Sequence, residues 1–188
     1  YVTTGAEHLP QADHIFLGEA ETTLPEFVLD LERGDPKRIY QAADRPALSA
    51  SPIPDFHLAD IRRYSAMPVQ YPRCCPFQCE FCDIIEIYGR VPRTKSNEQV
   101  LAELDALLRV GWRGTVFIVD DNFIGNKRNV KRLLPVLADW SESHGRPFSF
   151  ITEASVNLAE DEELLDGMRR AHFRRVFLGI ETPVEASL

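Results

Sequence analysis

Short apolar runs alternate with amphipathic segments of helical period over the second half of the chain, and this alternation constrains the fold more than any other feature. Such alternation is typical of a parallel sheet whose strands are joined by right-handed helical crossovers. The sequence therefore predicts an α/β fold from residue 68 onward, either an open doubly wound sheet or part of a barrel. The predicted strands are residues 69–71, 115–119, 148–152 and 176–180.

Each predicted strand is followed by residues that can bind a metal ion or accept a hydrogen bond. The carboxyl ends of parallel strands meet at one edge of the sheet, and in parallel α/β folds that edge carries the active site. We therefore expect these residues to converge. In chain order they are a cysteine loop, then Asp120, Asp121 and Asn122, then Glu153, and finally Glu181.

All four cysteines lie between residues 74 and 82, and Cys75, Cys79 and Cys82 have the spacing C-x3-C-x2-C. Near neighbours of this kind make strained disulfides, so the group is typical of a reduced, intracellular metal site. A [4Fe–4S] cluster normally takes four cysteine ligands. Three thiolates from this loop would therefore leave one iron open to another ligand.

Zinc, a redox-active thiol pair and inert core thiols are the alternatives to an iron–sulfur cluster. Structural zinc usually takes four ligands, often as two separated pairs, and the sequence has neither a second cysteine pair nor a histidine near the loop. A redox pair made by Cys79 and Cys82 would leave Cys75 without a role. Cys74 is adjacent to Cys75 and is expected to be a packing thiol. The three-cysteine cluster is the favoured interpretation.

Composition narrows the possible partners and location. The net charge of −8 and the isoelectric point of about 5.1 argue against a nucleic-acid backbone as the main partner. No apolar run approaches the roughly 18 residues of a membrane span, so no transmembrane segment is predicted. The chain begins Tyr1-Val2-Thr3, which indicates a fragment of a longer protein. We expect a cytoplasmic location, peripheral to a membrane if the substrate is a lipid.

Two further segments are predicted before the alternating region. Residues 1–34 contain one strand and one helix, too little to hold a core alone. Residues 35–67 are rich in proline, which opposes long regular elements and indicates a linker. The predicted organisation is thus residues 1–34, a linker over 35–67 and a core domain over 68–188.

The cysteine spacing, with the aromatic Phe81 just before the last thiol, resembles the signature of the radical S-adenosylmethionine (SAM) superfamily. The resemblance implies a partial (β/α) TIM-like barrel, of which about four of the usual six strands are present. It also implies that the amino and carboxylate groups of SAM chelate the open iron. The reduced cluster then gives an electron to the sulfonium, releasing methionine and a 5′-deoxyadenosyl radical. An electron donor such as flavodoxin or ferredoxin is implied as a partner.

Other segments resemble the cobalamin-associated branch of that superfamily, and within it the hopanoid methylase group. They are residues 88–96, 119–123, 152–155 and 179–182. Residues 1–34 resemble the C-terminal tail of a Rossmann-like cobalamin-binding domain. The resemblance implies cobalamin as a further cofactor and methyl transfer to an unactivated carbon of a lipid or other small molecule. Rearrangement, cyclisation or oxidation is the alternative within the superfamily, and a zinc-binding module without catalysis is the alternative outside it.

The resemblance also implies individual roles in binding SAM. Asp120, Asp121 and Asn122 occupy the place of the family's Gly-Gly-Glu element, which contacts the SAM amino group. Glu153 corresponds to polar contacts with the ribose or methionine part, and Glu181 lies near the adenosyl group. Helix capping or a loop salt bridge is the structural alternative for these residues.

Two other features near the cysteines have a structural and a functional interpretation. Phe81 matches an aromatic position whose main chain approaches adenine, and its structural alternative is a core side chain. Arg90, Arg93 and Lys95 form a short basic run beside the cysteines. This run is either a solvated surface or an anchor for the SAM carboxylate or an anionic substrate.

Overall fold

The computed structural model describes residues 9–80, 82–180 and 184, so Phe81 and Glu181 lie outside the described residues. Its strands and helices alternate along the chain, with short 3-10 turns between some of them. The strands are β1 (Ile15–Leu17), β2 (Ile39–Gln41), β3 (Ala66–Val69), β4 (Pro72–Arg73), β5 (Arg93–Thr94), β6 (Gly114–Ile118), β7 (Phe148–Ala154) and β8 (Phe173–Leu178). The helices are α1 (Ala20–Glu32), α2 (Ile84–Tyr88), α3 (Asn97–Arg109), α4 (Lys127–Ser143) and α5 (Glu162–Arg170).

Four strands form a parallel sheet in the order β3-β6-β7-β8, which is also their order along the chain. The register sets Met67 opposite Val116 and Val116 opposite Phe150, so one row of buried apolar residues crosses three strands. Parallel strands that neighbour each other in chain order, with a helix between successive strands, have the topology of part of a (β/α) barrel. The predicted parallel α/β sheet is confirmed.

Helices α3, α4 and α5 cover one face of this sheet and bury the core. Helix α3 begins with a capping box, in which the Ser96 hydroxyl accepts from the Gln99 amide and the Gln99 side chain accepts from the Ser96 amide. Leu104, Leu107 and Leu137 from α3 and α4 are completely or almost completely buried against the strands. The opposite face of the sheet is left more open. No helix in the described ranges is long and apolar enough to cross a membrane.

The N-terminal unit is a small parallel βαβ arrangement. Strands β1 and β2 pair in parallel, from Ile15 opposite Ile39 to Leu17 opposite Gln41, and α1 makes the crossover. The ring of Phe27 on α1 packs edge-on against Tyr40 of β2. Strand β2 lies in the predicted linker and was not expected, because a three-residue strand flanked by Asp, Pro and Arg leaves little alternation to detect. The division of the chain at residues 34 and 67 stays a prediction.

The capping box generates a stability prediction for α3. Replacing Ser96 with Ala removes the acceptor for the Gln99 amide and should lower the free energy of unfolding by about 1 kcal/mol. Urea denaturation measures this loss. Ser49→Ala, at an exposed serine, is the matched control and should change stability by less than about 0.5 kcal/mol. Equal losses in the two variants would contradict the capping role.

Candidate active site

The cysteine loop begins just beyond the carboxyl end of β3 and is closed at its base by a short hairpin. Strands β4 and β5 pair antiparallel, with Pro72 opposite Thr94 and Arg73 opposite Arg93. The loop therefore comprises residues 74–92, including the one-and-a-half-turn helix α2. The first part of the loop, which carries the cysteines, lies at the carboxyl edge of the sheet. The polar residues that follow β6 lie at the same edge.

The four thiols of the loop fall into two classes. Cys74 is buried, with 1% of its surface exposed, and its Sγ donates to the carbonyl of Gly89. Burial raises the pKa of the Cys74 thiol to about 11, so it stays protonated at neutral pH. Cys75 and Cys82 are half-buried, Cys79 is exposed, and all four are free of disulfides. This leaves three accessible thiols at the spacing predicted for a cluster, with Cys74 as the packing thiol.

The loop has the donors that a [4Fe–4S] cluster takes, although they are not pre-assembled. A turn in which the Cys82 amide donates to the Cys79 carbonyl at 3.2 Å keeps these two residues close in space. Among the described residues, however, no three Cys, His, Asp or Glu side chains are grouped tightly enough to hold a metal ion. The donor set fits a three-thiolate cluster, and the assignment of Cys75, Cys79 and Cys82 as ligands stays a prediction.

Asn122 joins the cysteine loop to the ends of two strands. It follows β6, and only 2% of its surface is exposed. Its Nδ2 lies 3.8 Å from the Cys75 Sγ and donates to the Ser155 hydroxyl at 3.1 Å. In return, the Ser155 amide donates to Asn122 Oδ1 at 3.3 Å. A single amide side chain therefore fixes the positions of the loop, the end of β6 and the end of β7 relative to each other.

Ser155 is the site residue that the sequence interpretation did not select. Strand β7 continues to Ala154, two residues beyond its predicted end, so the first polar residue after the strand is Ser155 rather than Glu153. Glu153 itself lies inside β7, paired with Phe177 of β8. The expectation that Glu153 follows its strand is therefore wrong. No local signal marked Ser155, because Glu153 and Ala154 are both residue types that are depleted in strands.

Glu153 nevertheless lies on the sheet face that is open to a ligand. Residues in a strand alternate between the two faces, and in β7 Thr152 and Ala154 are buried against the helices. Glu153 is half-buried on the other face, which it shares with Ser149 and Ile151. No hydrogen bond or ion pair of its carboxylate occurs within the described part of the chain. The carboxylate is thus free to accept from a bound ligand, and its role toward SAM stays a prediction.

Asp120 is buried, with 2% of its surface exposed, and its role toward SAM stays a prediction. Its Oδ1 accepts the Tyr71 amide at 2.9 Å, which fixes the start of the segment leading into the cysteine loop. Its Oδ2 is buried and has no hydrogen-bond partner among the residues described. Burial raises the pKa of this carboxyl well above its ordinary value. Asp121, in contrast, is exposed, and partial desolvation of its carboxyl raises its pKa.

The basic run beside the cysteines is occupied by internal ion pairs. Lys95 and Glu103 form a buried pair, with 5% and 2% of their side chains exposed. Desolvation raises the pKa of Glu103, and the Lys95 ammonium opposes that shift. Arg93 is paired with Glu19 of the N-terminal unit, while Arg90 is exposed. Lys95 and Arg93 are therefore not free anchors for an anionic ligand.

The N-terminal unit meets the cysteine loop beside a cavity of about 1000 Å³. One wall is the outer face of α1, including Leu24 and Val28, and the other includes Arg73 and Tyr88. Glu21 also lies in the wall, and the hydrogen bond from Arg73 lowers its pKa to about 2. The cavity is thus apolar on the α1 side and charged where it approaches the hairpin.

Residues 69–186, more than half of the chain, match the radical SAM superfamily. The chain belongs to the radical SAM superfamily. The matching residues include the last residue of β3, the strands β6, β7 and β8, and the complete cysteine loop. The resemblance drawn from the cysteine spacing is confirmed.

Two similar curated relatives of this radical SAM chain are a methyltransferase and a methylase by name. An uncharacterized methyltransferase of Synechocystis sp. is 57% identical over 177 residues, covering 94% of this chain and 33% of that protein. The hopanoid C-2 methylase of Rhodopseudomonas palustris is 39% identical over 191 residues, covering 100% of this chain and 36% of the methylase. The chain spans about a third of the length of these curated relatives.

A solved radical SAM enzyme shares the fold. The methyltransferase TsrM of Kitasatospora setae, with tryptophan and a SAM analogue bound, matches with a TM-score of 0.68 at 16% identity, covering 90% of this chain and 37% of TsrM. A second TsrM structure, with cobalamin and a [4Fe–4S] cluster bound, matches with a TM-score of 0.58 at 19% identity, covering 66% and 24% of the two chains. The predicted fold class, part of a radical SAM barrel, is confirmed.

The raised pKa of Asp120 generates a prediction about stability and pH. Because its pKa is higher in the folded state than the ordinary value of 3.8, ionisation of Asp120 lowers stability as the pH rises above that value. Asp120→Asn keeps an acceptor for the Tyr71 amide and cannot ionise. The free energy of unfolding of D120N relative to wild type should therefore increase from about pH 4 upward, until the folded-state pKa is passed.

Chemical denaturation at a series of pH values measures this difference. Asp120→Ala also removes the acceptor for the Tyr71 amide, so it should be less stable than D120N at every pH, by about 1–3 kcal/mol. A D120N difference that stays constant across the series would show that burial does not oppose ionisation of Asp120.

The buried Lys95–Glu103 pair generates a second prediction. Lys95→Met leaves an unpaired carboxyl in the core and should lower the free energy of unfolding by about 3–5 kcal/mol. The double variant Lys95→Met with Glu103→Leu removes that carboxyl and should recover most of the loss. Lys131→Met, which breaks more exposed pairs with Asp161 and Glu163, is the control and should cost about 0–1 kcal/mol. A double variant less stable than K95M would contradict this account.

Proposed function

We propose that this chain is the cluster- and SAM-binding part of a cobalamin-dependent radical SAM methyltransferase that acts on an unactivated carbon of a lipid or other small molecule. The observation that carries the proposal is the convergence at Asn122, where the cysteine loop meets the ends of β6 and β7. The methyltransferase names of relatives at 57% and 39% identity support the reaction class. The substrate class rests on the hopanoid C-2 methylase relative.

In this proposal Cys75, Cys79 and Cys82 hold the cluster and Cys74 does not. The first three thiols are half-buried or exposed, whereas the Cys74 thiol is buried and bonded to a backbone carbonyl. When bound, the cluster and SAM supply the one-electron chemistry of the family. A reduced flavodoxin or ferredoxin is the proposed electron source, in the cytoplasm.

The other polar residues orient the cofactor and shape its environment. Asn122 fixes the position of Cys75, because its amide also bonds Ser155. Asp121 is exposed beside Asn122, and its carboxylate is proposed to accept from the SAM ammonium in a charge-assisted hydrogen bond. Glu153 offers an unpaired acceptor on the open face of the sheet. Phe81 and Glu181 keep their proposed adenine and adenosyl contacts on the strength of the family resemblance alone.

Cobalamin is assigned to the side of the N-terminal unit. The cavity beside α1, of about 1000 Å³, is at the upper end of the range for small-molecule sites and opens next to the base of the cysteine loop. TsrM, which shares the fold, binds cobalamin together with its cluster. Together these support a corrinoid held on the side of the N-terminal unit, where it would accept the methyl group of SAM and pass it to the substrate carbon.

Cysteine variants test the proposal most directly. After anaerobic reconstitution with iron and sulfide, the wild-type protein should bind about four iron atoms per chain and show the broad visible absorbance of a [4Fe–4S] cluster. Cys75→Ala, Cys79→Ala and Cys82→Ala should each lose that absorbance and most of the iron. Cys74→Ala is the matched control and should keep both, because its thiol is buried and donates to the Gly89 carbonyl. Stoichiometric zinc without SAM cleavage would refute the proposal.

Methyl transfer needs its own measurement. Wild-type protein is incubated with methyl-labelled SAM, cobalamin, a reductant and a lipid extract. Labelled lipid that is absent from the C75A reaction is the expected result. Release of 5′-deoxyadenosine with no labelled product would instead favour rearrangement, cyclisation or oxidation.

A further inference from the structure

Two arginines face each other at the base of the cysteine loop. Arg73 of β4 and Arg93 of β5 are direct cross-strand partners in the hairpin that closes residues 74–92. Like charges directly opposite each other destabilise a strand pair. Both side chains are largely buried, with 14% and 21% of their surface exposed, so solvent screens the repulsion poorly. The hairpin needs a compensating anion to stay closed.

Glu19 of the N-terminal unit is that anion. Its Oε2 accepts from Arg73 Nη1 at 2.5 Å and from Arg93 Nη1 at 3.1 Å, and its Oε1 accepts from Arg93 Nη2. Only 3% of the Glu19 side chain is exposed. Glu19 occupies the N-cap position of α1 but makes no side-chain capping hydrogen bond. Its carboxylate is therefore directed away from its own helix and toward the two arginines.

The two arginines do not depend equally on Glu19. Arg73 has a second carboxylate partner, Glu21, at 2.6 Å, and a further bond to Gln70 at 2.7 Å. Within the described residues, the other partners of Arg93 are only the backbone carbonyls of Pro46 and Tyr88. Loss of the Glu19 carboxylate therefore leaves Arg93, on the β5 side, as the uncompensated buried charge.

We propose that Glu19, Arg73 and Arg93 form a clamp through which the start of α1 sets the closure of the cysteine loop. Glu19 is in this sense a positioning residue for the three thiols, acting over sequence separations of 54 and 74 residues. The inference rests on the proposed function in one respect: the loop that the clamp closes is the loop that the proposed function assigns to the cluster. The clamp also borders the cavity beside α1, since Glu19 and Arg73 are among its lining residues. The same ion pairs therefore line the cavity and close the base of the cysteine loop.

The test compares Glu19→Gln with Glu26→Gln in the purified protein. Glu26 is on the same helix and pairs at 2.5 Å with Lys37 of the N-terminal unit, so E26Q is the matched control. Amide hydrogen exchange is measured first without the cluster. In E19Q, exchange in peptides covering residues 74–94 should accelerate roughly tenfold or more, and most strongly near Arg93. In E26Q the same peptides should exchange as in wild type.

A second readout concerns the cluster rather than the fold. After reconstitution, E19Q should show a shifted or broadened electron paramagnetic resonance signal of the reduced cluster, whereas E26Q should match wild type. If E19Q matches E26Q in both measurements, the clamp is refuted. If wild type binds no cluster but E19Q still opens the loop selectively, the clamp stands and the proposed function fails.

A double variant keeps the inference testable if E19Q unfolds as a whole. The single variants Glu19→Gln and Arg93→Gln are compared with the double variant that carries both substitutions. The double variant removes the Arg93 guanidinium together with its carboxylate partner. Its loop exchange should accelerate by less than the product of the two single effects, as expected for groups in direct contact. Independent effects, or acceleration spread evenly over the chain in all three variants, would overturn the clamp.

Discussion

Parallel pairing of β3, β6 and β7 is the constraint on which the rest of the site depends. Because these strands run in one direction and neighbour each other in chain order, the residue after each of them arrives at the same edge. Residues 69, 118 and 154 end the three strands, and the segments that follow supply the cysteine loop, Asn122 and Ser155. The hydrogen bonds of Asn122 then need only a few ångströms of reach to connect segments separated by 33 and 47 residues.

The features that could be predicted from the sequence are helix starts and strands, because each has a physical cause in neighbouring residues. Helix α3 starts where Ser96 and Gln99 can satisfy each other, and strand β6 is a continuous run of β-branched and aromatic residues. Such signals place strand ends to within about two residues. That error was enough to select Glu153 in place of Ser155, because the residue taken to follow the strand moves with the predicted end of the strand. The direction of the error was not predictable, since Glu and Ser are both compatible with a strand end.

The hydrogen-bond and ion-pair partners that are distant along the chain could not be predicted from the sequence. Arg93 and Lys95 are two residues apart in one basic run, yet one is paired with Glu19 and the other with Glu103. Nothing in the run distinguishes a solvated side chain from one neutralised by a carboxylate 74 residues away. The same limit applies to Asp120, which stood with Asp121 and Asn122 as a possible ligand contact. Its hydrogen bond to the Tyr71 amide makes it part of the internal support of the loop.

The support of the cysteine loop thus comes from two directions with different physical character. On the sheet side, Asp120 and Asn122 hold it through hydrogen bonds within the rigid core. On the other side, the Glu19 clamp holds it through ion pairs to a small unit that also lines the cavity. Ion pairs that are mostly buried depend steeply on distance, so a small shift of α1 changes the closure of the hairpin. Coupling of this kind would be reciprocal: if a ligand in the cavity changed the affinity of the loop for a cluster by some factor, the cluster would change the affinity of the cavity for that ligand by the same factor.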